Sequence, residues 1–240
     1  MLNYQERFYR ELHKSSFCLE VSYRESDIYL SCDKPLDETI VKSLLKRYYD
    51  DIASYIRSYP NFLTSLTPWK EDPFAPPIVK DMIAASKVSG IGPFSCVAGG
   101  ISWYVGKEIL NYCNELILEN GGDLFLKINE DKKIGIYLGE NFSPNFITVK
   151  IKKKESPFGV ASSSSRFGHS LNFGRADLVT VVALDSLLAD TFATVFSNKI
   201  KKIGDIEKVI NEAKGYSSIK AVVVAFEGRI ALWGEVELDV

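Results

Sequence analysis

The chain has 240 residues, 46% of them hydrophobic and 25% charged, a balance typical of a folded globular protein with a sizeable core. Its formal net charge of −2 gives no overall field that would draw it to nucleic acid or to an acidic membrane. Residues 1–15 are too polar for a signal peptide, and no apolar run approaches the ~20 residues that span a bilayer. We therefore expect one α+β domain over residues 1–240.

The four cysteines predict a reducing compartment. They are scattered along the chain without a CxxC pair, at Cys18, Cys32, Cys96 and Cys113. Such spacing indicates reduced thiols in the core of a cytoplasmic protein, and it does not indicate a metal cluster.

The first third of the chain contains two short strands and a long helix. Alternating apolar residues predict strands at 17–23 and 27–32, and apolar residues at spacings of three and four predict an amphipathic helix over 35–60. Residues 60–77 contain five of the nine prolines together with large apolar residues, so we expect an ordered loop that packs against the protein body.

A helix is predicted at 78–87, and a second helix runs from Ser95 to Cys113. The second helix opens with Ala98-Gly99-Gly100, so its first turns carry almost no side chains. One interpretation is close packing of this helix against its neighbours. The other is the approach of an anionic ligand to the free N–H groups of its first turn.

The remaining elements alternate between strands and helices. The patterns predict a tight hairpin over 115–126, strands at 133–139, 146–152, 158–161 and 177–184, helices at 186–197 and 204–214, and a final hairpin over 219–238 that turns at Glu227-Gly228. Several strand pairs are joined by tight turns, which favours a mixed or mostly antiparallel sheet with helices on one face. No dinucleotide or P-loop glycine pattern is present.

The helix at 186–197 has an unusual polar stripe. At about 100° per residue one face collects only small residues, namely Ser186, Asp190, Ala193, Thr194 and Ser197. A solvated face would carry Lys and Glu instead. A carboxylate one turn from a hydroxyl indicates close docking of another group, and a hard cation with oxygen ligands fits this description.

Two further segments could hold a ligand. Glu119-Asn120-Gly121-Gly122-Asp123 is either a plain hairpin turn or a place where backbone groups face a ligand. The serine run at 161–170 is either a mobile polar loop or a phosphate cradle in which Ser163 and Ser164 contact a diphosphate, with Arg166 and His169 as charged partners.

Three motifs are characteristic of a known group of proteins. They are ENGGD at 119–123, GHS followed by FGRAD at 168–177, and LLADTFATVFSN at 187–198. In this order and spacing they resemble the ApbE superfamily. PNFLTSLTP, APPIVKDMIAAS and GPFSCVAGG are similar to a shorter prokaryotic branch of that superfamily. The resemblance covers nearly the whole chain, although this chain lacks the longer insertion that follows GGD in the transferases.

The resemblance implies a fold, a cofactor and site residues. It implies an α+β fold of the T-fold type, with a mostly antiparallel sheet and helices packed on one side. Characterised members are Mg²⁺-dependent FAD:protein FMN transferases. It implies that Asp190 and Thr194 hold Mg²⁺ beside the flavin diphosphate, and that Gly121, Gly122 and Asp123 lie near the flavin.

Three functions stay open at this point. The protein binds a flavin- or nucleotide-like diphosphate, with FAD or FMN and Mg²⁺ as the implied cofactors; or it is a Mg²⁺-dependent FMN transferase or FAD hydrolase; or it is a non-catalytic structural protein in which Asp190 is satisfied internally. Each of them is compatible with a homo-oligomer.

Overall fold

The computed structural model describes residues 17–139, 142–166 and 172–239. Its α-helices are α1 (Glu38–Ser58), α2 (Asn61–Thr64), α3 (Pro77–Ser89), α4 (Val97–Ile109), α5 (Ser186–Lys199) and α6 (Asp205–Ala213). Its strands are β1 (Phe17–Tyr23), β2 (Ser26–Cys32), β3 (Leu116–Asn120), β4 (Asp123–Lys127), β5 (Lys132–Tyr137), β6 (Phe146–Ile151), β7 (Phe158–Ser163), β8 (Leu178–Ala183), β9 (Ile219–Phe226), β10 (Arg229–Gly234) and β11 (Val236–Asp239).

The main sheet has eight antiparallel strands in the order β1-β2-β3-β4-β7-β8-β9-β10. Each half is a strand pair, a helical insertion and a second strand pair. In the first half α1 to α4 lie between β2 and β3, and in the second half α5 and α6 lie between β8 and β9. The topology therefore shows two similar halves, although no repeat is visible in the sequence.

The helices cover one face of this sheet, as the sequence predicts. Leu30 and Leu118 of the first half are fully buried beneath Leu45 of α1 and Val105 of α4. In the second half Phe192 and Phe196 of α5 pack on four valines of β8 and β9, which are Val179, Val181, Val222 and Val224. Because both halves of the sheet bury apolar residues against the helices, burial of this face is a major stabilising contribution to the fold.

The opposite face is covered by a second sheet, which the sequence analysis does not predict. Its three strands run in the order β11-β6-β5. Ile136 and Val149 from this sheet share a buried cluster with Leu126, Phe158 and Val182 of the main sheet. Alternation reveals that β5 and β6 are strands, but it carries no information about the sheet to which a strand belongs.

The end of the chain differs from the expected hairpin. β9 and β10 turn at Glu227 and Gly228, both with positive φ (49° and 74°), as the sequence predicts. The expectation that this hairpin continues to residue 238 is wrong. Gly234 has φ +98°, and a Cβ there would lie 2.0 Å from the carbonyl oxygen of Lys220, so this glycine allows the chain to leave β9. β11 then pairs with β6.

Two other expectations need correction. The helix predicted from Ser95 begins with a 3-10 turn at Pro93–Cys96, and α4 proper ends at Ile109. In the proline-rich loop Phe62 is fully buried, but Leu66 and Phe74 are 59% and 94% exposed, so these two side chains do not pack against the body.

Candidate functional site

Helix α5 lies at the centre of the molecule and has no solvated face. Every residue from Ser186 to Ser197 is buried except Leu188. The carboxylate of Asp185 caps its first turn by accepting the Leu188 N–H over 2.7 Å, and Ser186 Oγ donates to the Leu124 carbonyl of β4 over 2.9 Å. The small residues of the stripe are therefore explained by neighbouring elements of the same chain that pack against it.

The glycine-rich start of α4 is one of those neighbours. A Cβ at Gly99 would lie 2.3 Å from the Ser186 carbonyl oxygen and 2.8 Å from the Asp190 Cβ, so only glycine permits this approach of the two helices. The packing interpretation of Ala98-Gly99-Gly100 is therefore correct at Gly99. The N–H of Gly99 also donates to Asp190 Oδ2 over 2.9 Å. One first-turn amide of α4 thus holds a carboxylate of the protein itself.

Asp190 and Asp123 form a buried carboxyl pair. Asp190 is 8% exposed and Asp123 5%, and their side chains are hydrogen-bonded to each other. A hydrogen bond from the Ser162 backbone also reaches Asp123. The structure therefore brings together the aspartate predicted from the helix stripe and the aspartate predicted from the glycine turn.

Burial controls the protonation of this pair. It raises the pKa of Asp190 to about 7, against the opposing effect of the hydrogen bonds from Gly99 and Asp123. Burial also raises the pKa of Asp123 well above its usual value, and repulsion from Asp190 and Glu119 adds to the shift. No Lys or Arg side chain of the described residues is among the main causes of either shift. Two acids in this environment share a proton near neutral pH.

The β3–β4 turn presents Asp123. Gly121 and Gly122 have φ of +67° and +100°, and a Cβ at either position would meet nothing within 4 Å. Glu119 Oε1 accepts the Gly122 N–H over 2.7 Å, and Asn120 pairs with Asp123 in the strand register. The backbone of the turn therefore faces open space, which suits the predicted approach of a ligand.

The serine run is folded into its surroundings. Ser163 ends β7, and its hydroxyl accepts a hydrogen bond from Asn172 Nδ2 over 3.1 Å. Ser164 is buried, and its Oγ accepts the Arg166 N–H over 3.0 Å. The Arg166 guanidinium forms an ion pair with the buried Asp177 carboxylate. Ser163 thus belongs to a strand and Ser164 is buried, so neither of them lies in an exposed loop.

The remaining predicted residues are placed differently. Thr194 lies on α5 one helical turn beyond Asp190 and is 6% exposed. His169 lies outside the described residues. Asn120 belongs to the predicted 119–123 segment but had no role of its own there, and in the structure its Nδ2 donates to the Ala98 carbonyl over 3.1 Å. The signal that could have revealed it is its position beside the glycine pair, where a polar side chain directly precedes a tight turn.

The donor set at the pair suits a hard cation. The described residues contain no group of three or more His, Cys, Asp or Glu placed to hold a metal ion. Mg²⁺, however, is commonly bound by one or two carboxylates, with water and substrate phosphates completing the octahedron. Asp123 and Asp190 supply two carboxylates without a cationic partner among the described residues, and this arrangement fits Mg²⁺.

Across the ranges that the structure describes, no helix combines the length and apolarity needed to traverse a lipid bilayer.

Solved structures identify the class of fold. The chain superposes on the flavin transferase ApbE from Vibrio cholerae with a TM-score of 0.61 and 11% identity, covering 91% of this chain and 96% of that one. For the ApbE protein from Thermotoga maritima the TM-score is 0.54 and the identity 14%, covering 89% and 96%. The predicted α+β, ApbE-like fold, with its antiparallel sheet and layer of helices, is thus confirmed.

Sequence comparison identifies the family. Residues 10–227 match the family described as AbpE bacteria. A UPF0280 protein of Methanococcus aeolicus is 37% identical over 221 residues, covering 88% of each chain. A UPF0280 protein of Methanocaldococcus jannaschii is 33% identical over 230 residues, covering 92% of this chain and 91% of the other. The protein belongs to the AbpE bacteria family, and the resemblance stated from its motifs is confirmed.

Proposed function

We propose that this protein binds a flavin- or nucleotide-type diphosphate together with Mg²⁺ at the Asp123–Asp190 pair. The observation that carries this proposal is the pair itself. Two buried carboxyl groups with raised pKa values, and with no cationic partner among the described residues, are costly to ionise. A bound divalent cation offsets that cost directly.

The chain's own groups have distinct roles in this proposal. The Gly99 N–H holds one oxygen of Asp190, which orients the carboxyl group toward Asp123. The open space beside Gly121 and Gly122 admits a ligand close to the backbone. Thr194 is proposed as a further metal ligand. Ser163, Ser164 and His169 are proposed as contacts of the diphosphate.

The ligand class is taken from a protein of the same fold. The Vibrio cholerae protein of the same fold is a flavin transferase, which makes FAD and FMN the first ligands to test. When bound, Mg²⁺ would neutralise negative charge on the diphosphate. Transfer of FMN or hydrolysis of FAD at the same site is the alternative that includes catalysis, and the experiment below separates it from binding.

Thermal melting with FAD, FMN or ADP, each with Mg²⁺ or with EDTA, tests the proposal. A ligand at about 100 times its Kd should add roughly 2.7 kcal/mol of stability in the presence of Mg²⁺. Asp190→Asn and Asp123→Asn should lose this gain. Glu207→Gln, which removes the same charge from the exposed surface of α6, should retain it.

Chromatography of the same FAD mixtures distinguishes the functions. FMN and AMP formed by the wild type and not by Asp190→Asn indicate catalysis. A thermal shift without product indicates that the protein binds FAD without hydrolysing it, and FMN transfer is then tested by adding an acceptor protein and measuring the release of AMP. A melting curve that no flavin or nucleotide moves contradicts the proposal and favours a structural role for the carboxyl pair.

We also propose a cytoplasmic protein without a nucleic-acid partner, which acts as a homo-oligomer. Three of the four cysteines are buried and none forms a disulfide, which suits a reducing compartment. The net charge of −2 gives no general attraction for nucleic acid. Light scattering coupled to size-exclusion chromatography measures the oligomeric state, and a mass near 26.9 kDa at every concentration contradicts the oligomer.

A further inference from the structure

One peptide group connects the β3–β4 turn to Asp190. Asn120 Nδ2 donates to the carbonyl oxygen of Ala98 over 3.1 Å. The N–H of Gly99 donates to Asp190 Oδ2 over 2.9 Å. The Ala98 carbonyl and the Gly99 N–H belong to the same peptide bond, so the two hydrogen bonds lie on opposite sides of one planar unit.

A planar peptide transmits orientation from one side to the other. Because rotation about the C–N bond is strongly hindered, fixing the direction of the carbonyl also fixes the direction of the N–H. A hydrogen bond accepted by the carbonyl also polarises the N–H and strengthens the bond that it donates. The carbonyl oxygen has two lone pairs, so it can accept from Asn120 in addition to a bond within α4.

A second observation supports a role for Asn120 in orienting Asp190. It is 5% exposed, and its register partner across the turn is Asp123. The same residue therefore sits opposite one carboxyl group of the pair and is connected through the Ala98–Gly99 peptide to the other.

We propose that Asn120 is a positioning residue, which fixes the Asp190 carboxylate relative to Asp123 through the Ala98–Gly99 peptide and so sets the affinity of the pair for a divalent cation. The effect on cation affinity rests on the proposed function. The effect on the Gly99–Asp190 hydrogen bond does not, and it can be measured without any ligand.

The test compares two asparagines that make the same kind of hydrogen bond. Asn120→Leu has a similar size and lacks the donor, and Asn120→Ala removes the amide without adding bulk. Asn111→Leu is the control, because Asn111 Nδ2 donates to the Glu108 carbonyl over 3.0 Å at the exposed end of the same helix region. Each variant is compared with the wild type at a temperature where both are folded.

Two measurements are made on each variant. The first is the proton chemical shift of the Gly99 amide in ¹⁵N-labelled protein without ligand. We expect an upfield shift in Asn120→Leu and Asn120→Ala and none in Asn111→Leu. The second is Mn²⁺ affinity by calorimetry at fixed pH, with Mn²⁺ as the probe for a hard cation. Loss of a group that orients a metal ligand typically lowers metal affinity 10- to 100-fold, and we expect a loss of this size for both Asn120 variants only.

The outcomes separate this inference from the function on which it rests. If the proton chemical shift of the Gly99 amide is unchanged in both Asn120 variants, the positioning role is wrong. Full Mn²⁺ affinity in the Asn120 variants also overturns it if Asp190→Asn has lost that affinity. If Asp190→Asn binds Mn²⁺ as tightly as the wild type, the proposed cation site is wrong, whereas the ligand-free amide shift still tests the connection between Asn120 and Asp190.

Discussion

Asp190 of α5 and Asp123 of β4 meet as hydrogen-bonded carboxyl groups in the interior, one contributed by each half of the fold. Their elements are brought together by the glycine-rich start of α4, which packs against α5 and donates the Gly99 N–H to Asp190. The pair is therefore a product of the tertiary structure and has several measurable consequences.

The stability of the cation-free protein should fall as pH rises from about 4 to about 7. Burial raises the pKa of Asp190 to about 7, so in this window the folded state binds a proton that the unfolded state has released. The slope is at most about 1.4 kcal/mol per pH unit for one proton. Urea denaturation in EDTA at several pH values gives the free energy of unfolding of the wild type and of the Asp123→Asn/Asp190→Asn variant. The difference between the two proteins should fall with this slope as the pH rises. Parallel pH profiles for the two proteins would show that no such proton is held.

Gly99→Ala should be strongly destabilising, whereas its neighbour should tolerate the same change. The new Cβ at Gly99 would overlap the Ser186 carbonyl oxygen and force α4 and α5 apart, at a cost of about 1–3 kcal/mol or more. A Cβ at Gly100 would meet Leu187, Ile78 and Met82 at 3.6–3.7 Å, which is ordinary contact. Gly100→Ala should therefore be neutral or stabilise by up to about 1 kcal/mol through helix propensity. Chemical denaturation of the two variants measures the contrast, and equal stabilities would contradict it.

Removal of the Arg166 side chain should cost stability because it leaves the buried Asp177 carboxylate without its cation. Arg166 is itself about half exposed, so we expect a loss of about 1–3 kcal/mol, below the cost of breaking a fully buried pair. Asp177 also accepts the Glu227 N–H over 2.8 Å, so Asp177→Asn in the Arg166→Ala background should restore part of the loss. Thermal melting of Arg166→Ala, Asp177→Asn and the double variant gives the losses of stability for a double-mutant cycle. Additive losses would indicate that the two side chains do not interact.

Asn172 should stabilise the packing of Ser163 against α5. Its Nδ2 donates to Ser163 Oγ over 3.1 Å and to Ser197 Oγ over 2.7 Å, and its Oδ1 accepts the Gly174 N–H over 2.8 Å. Asn172→Ala leaves these groups without their partner and should cost about 1–3 kcal/mol. If Ser163 contacts the diphosphate as proposed, FAD affinity should fall as well. Calorimetry of folded Asn172→Ala measures that affinity. An unchanged Kd for FAD would show that Ser163 does not contact the diphosphate.

Most strands and helices of the fold could be predicted from the sequence, because their apolar residues recur at the spacing of a strand or a helix. The stripe on α5 also drew attention to Asp190, which the structure places in a buried pair with Asp123. Periodicity could not identify what faces that stripe, since Gly99 lies 91 residues away in sequence. A cation and a tightly packed helix both select small residues, so the stripe alone cannot distinguish them.

The same limit applies to the sheets and to the site. The sequence predicts β5 and β6 as ordinary strands and β11 as the end of the final hairpin. That these three strands form a separate sheet follows from the bend at Gly234 and from long-range packing. The role of Asn120 depends on the position of the Ala98 carbonyl, which local patterns do not specify. The family resemblance implies that Asp123 lies near the flavin and Asp190 beside its diphosphate, but the raised pKa values of the two carboxyl groups follow only from their burial in the folded chain.

The last strand of the chain is a partner of the middle strand of the small sheet. During synthesis β6 leaves the ribosome long before β11, and its second edge stays unpaired until residues 236–239 have been made. The small sheet, and with it the cover over one face of the main sheet, can therefore be completed only after residues 236–239 have been synthesised. A nascent chain halted before residue 236 should present a protein whose helical face is assembled while the opposite face still exposes the edge of β6.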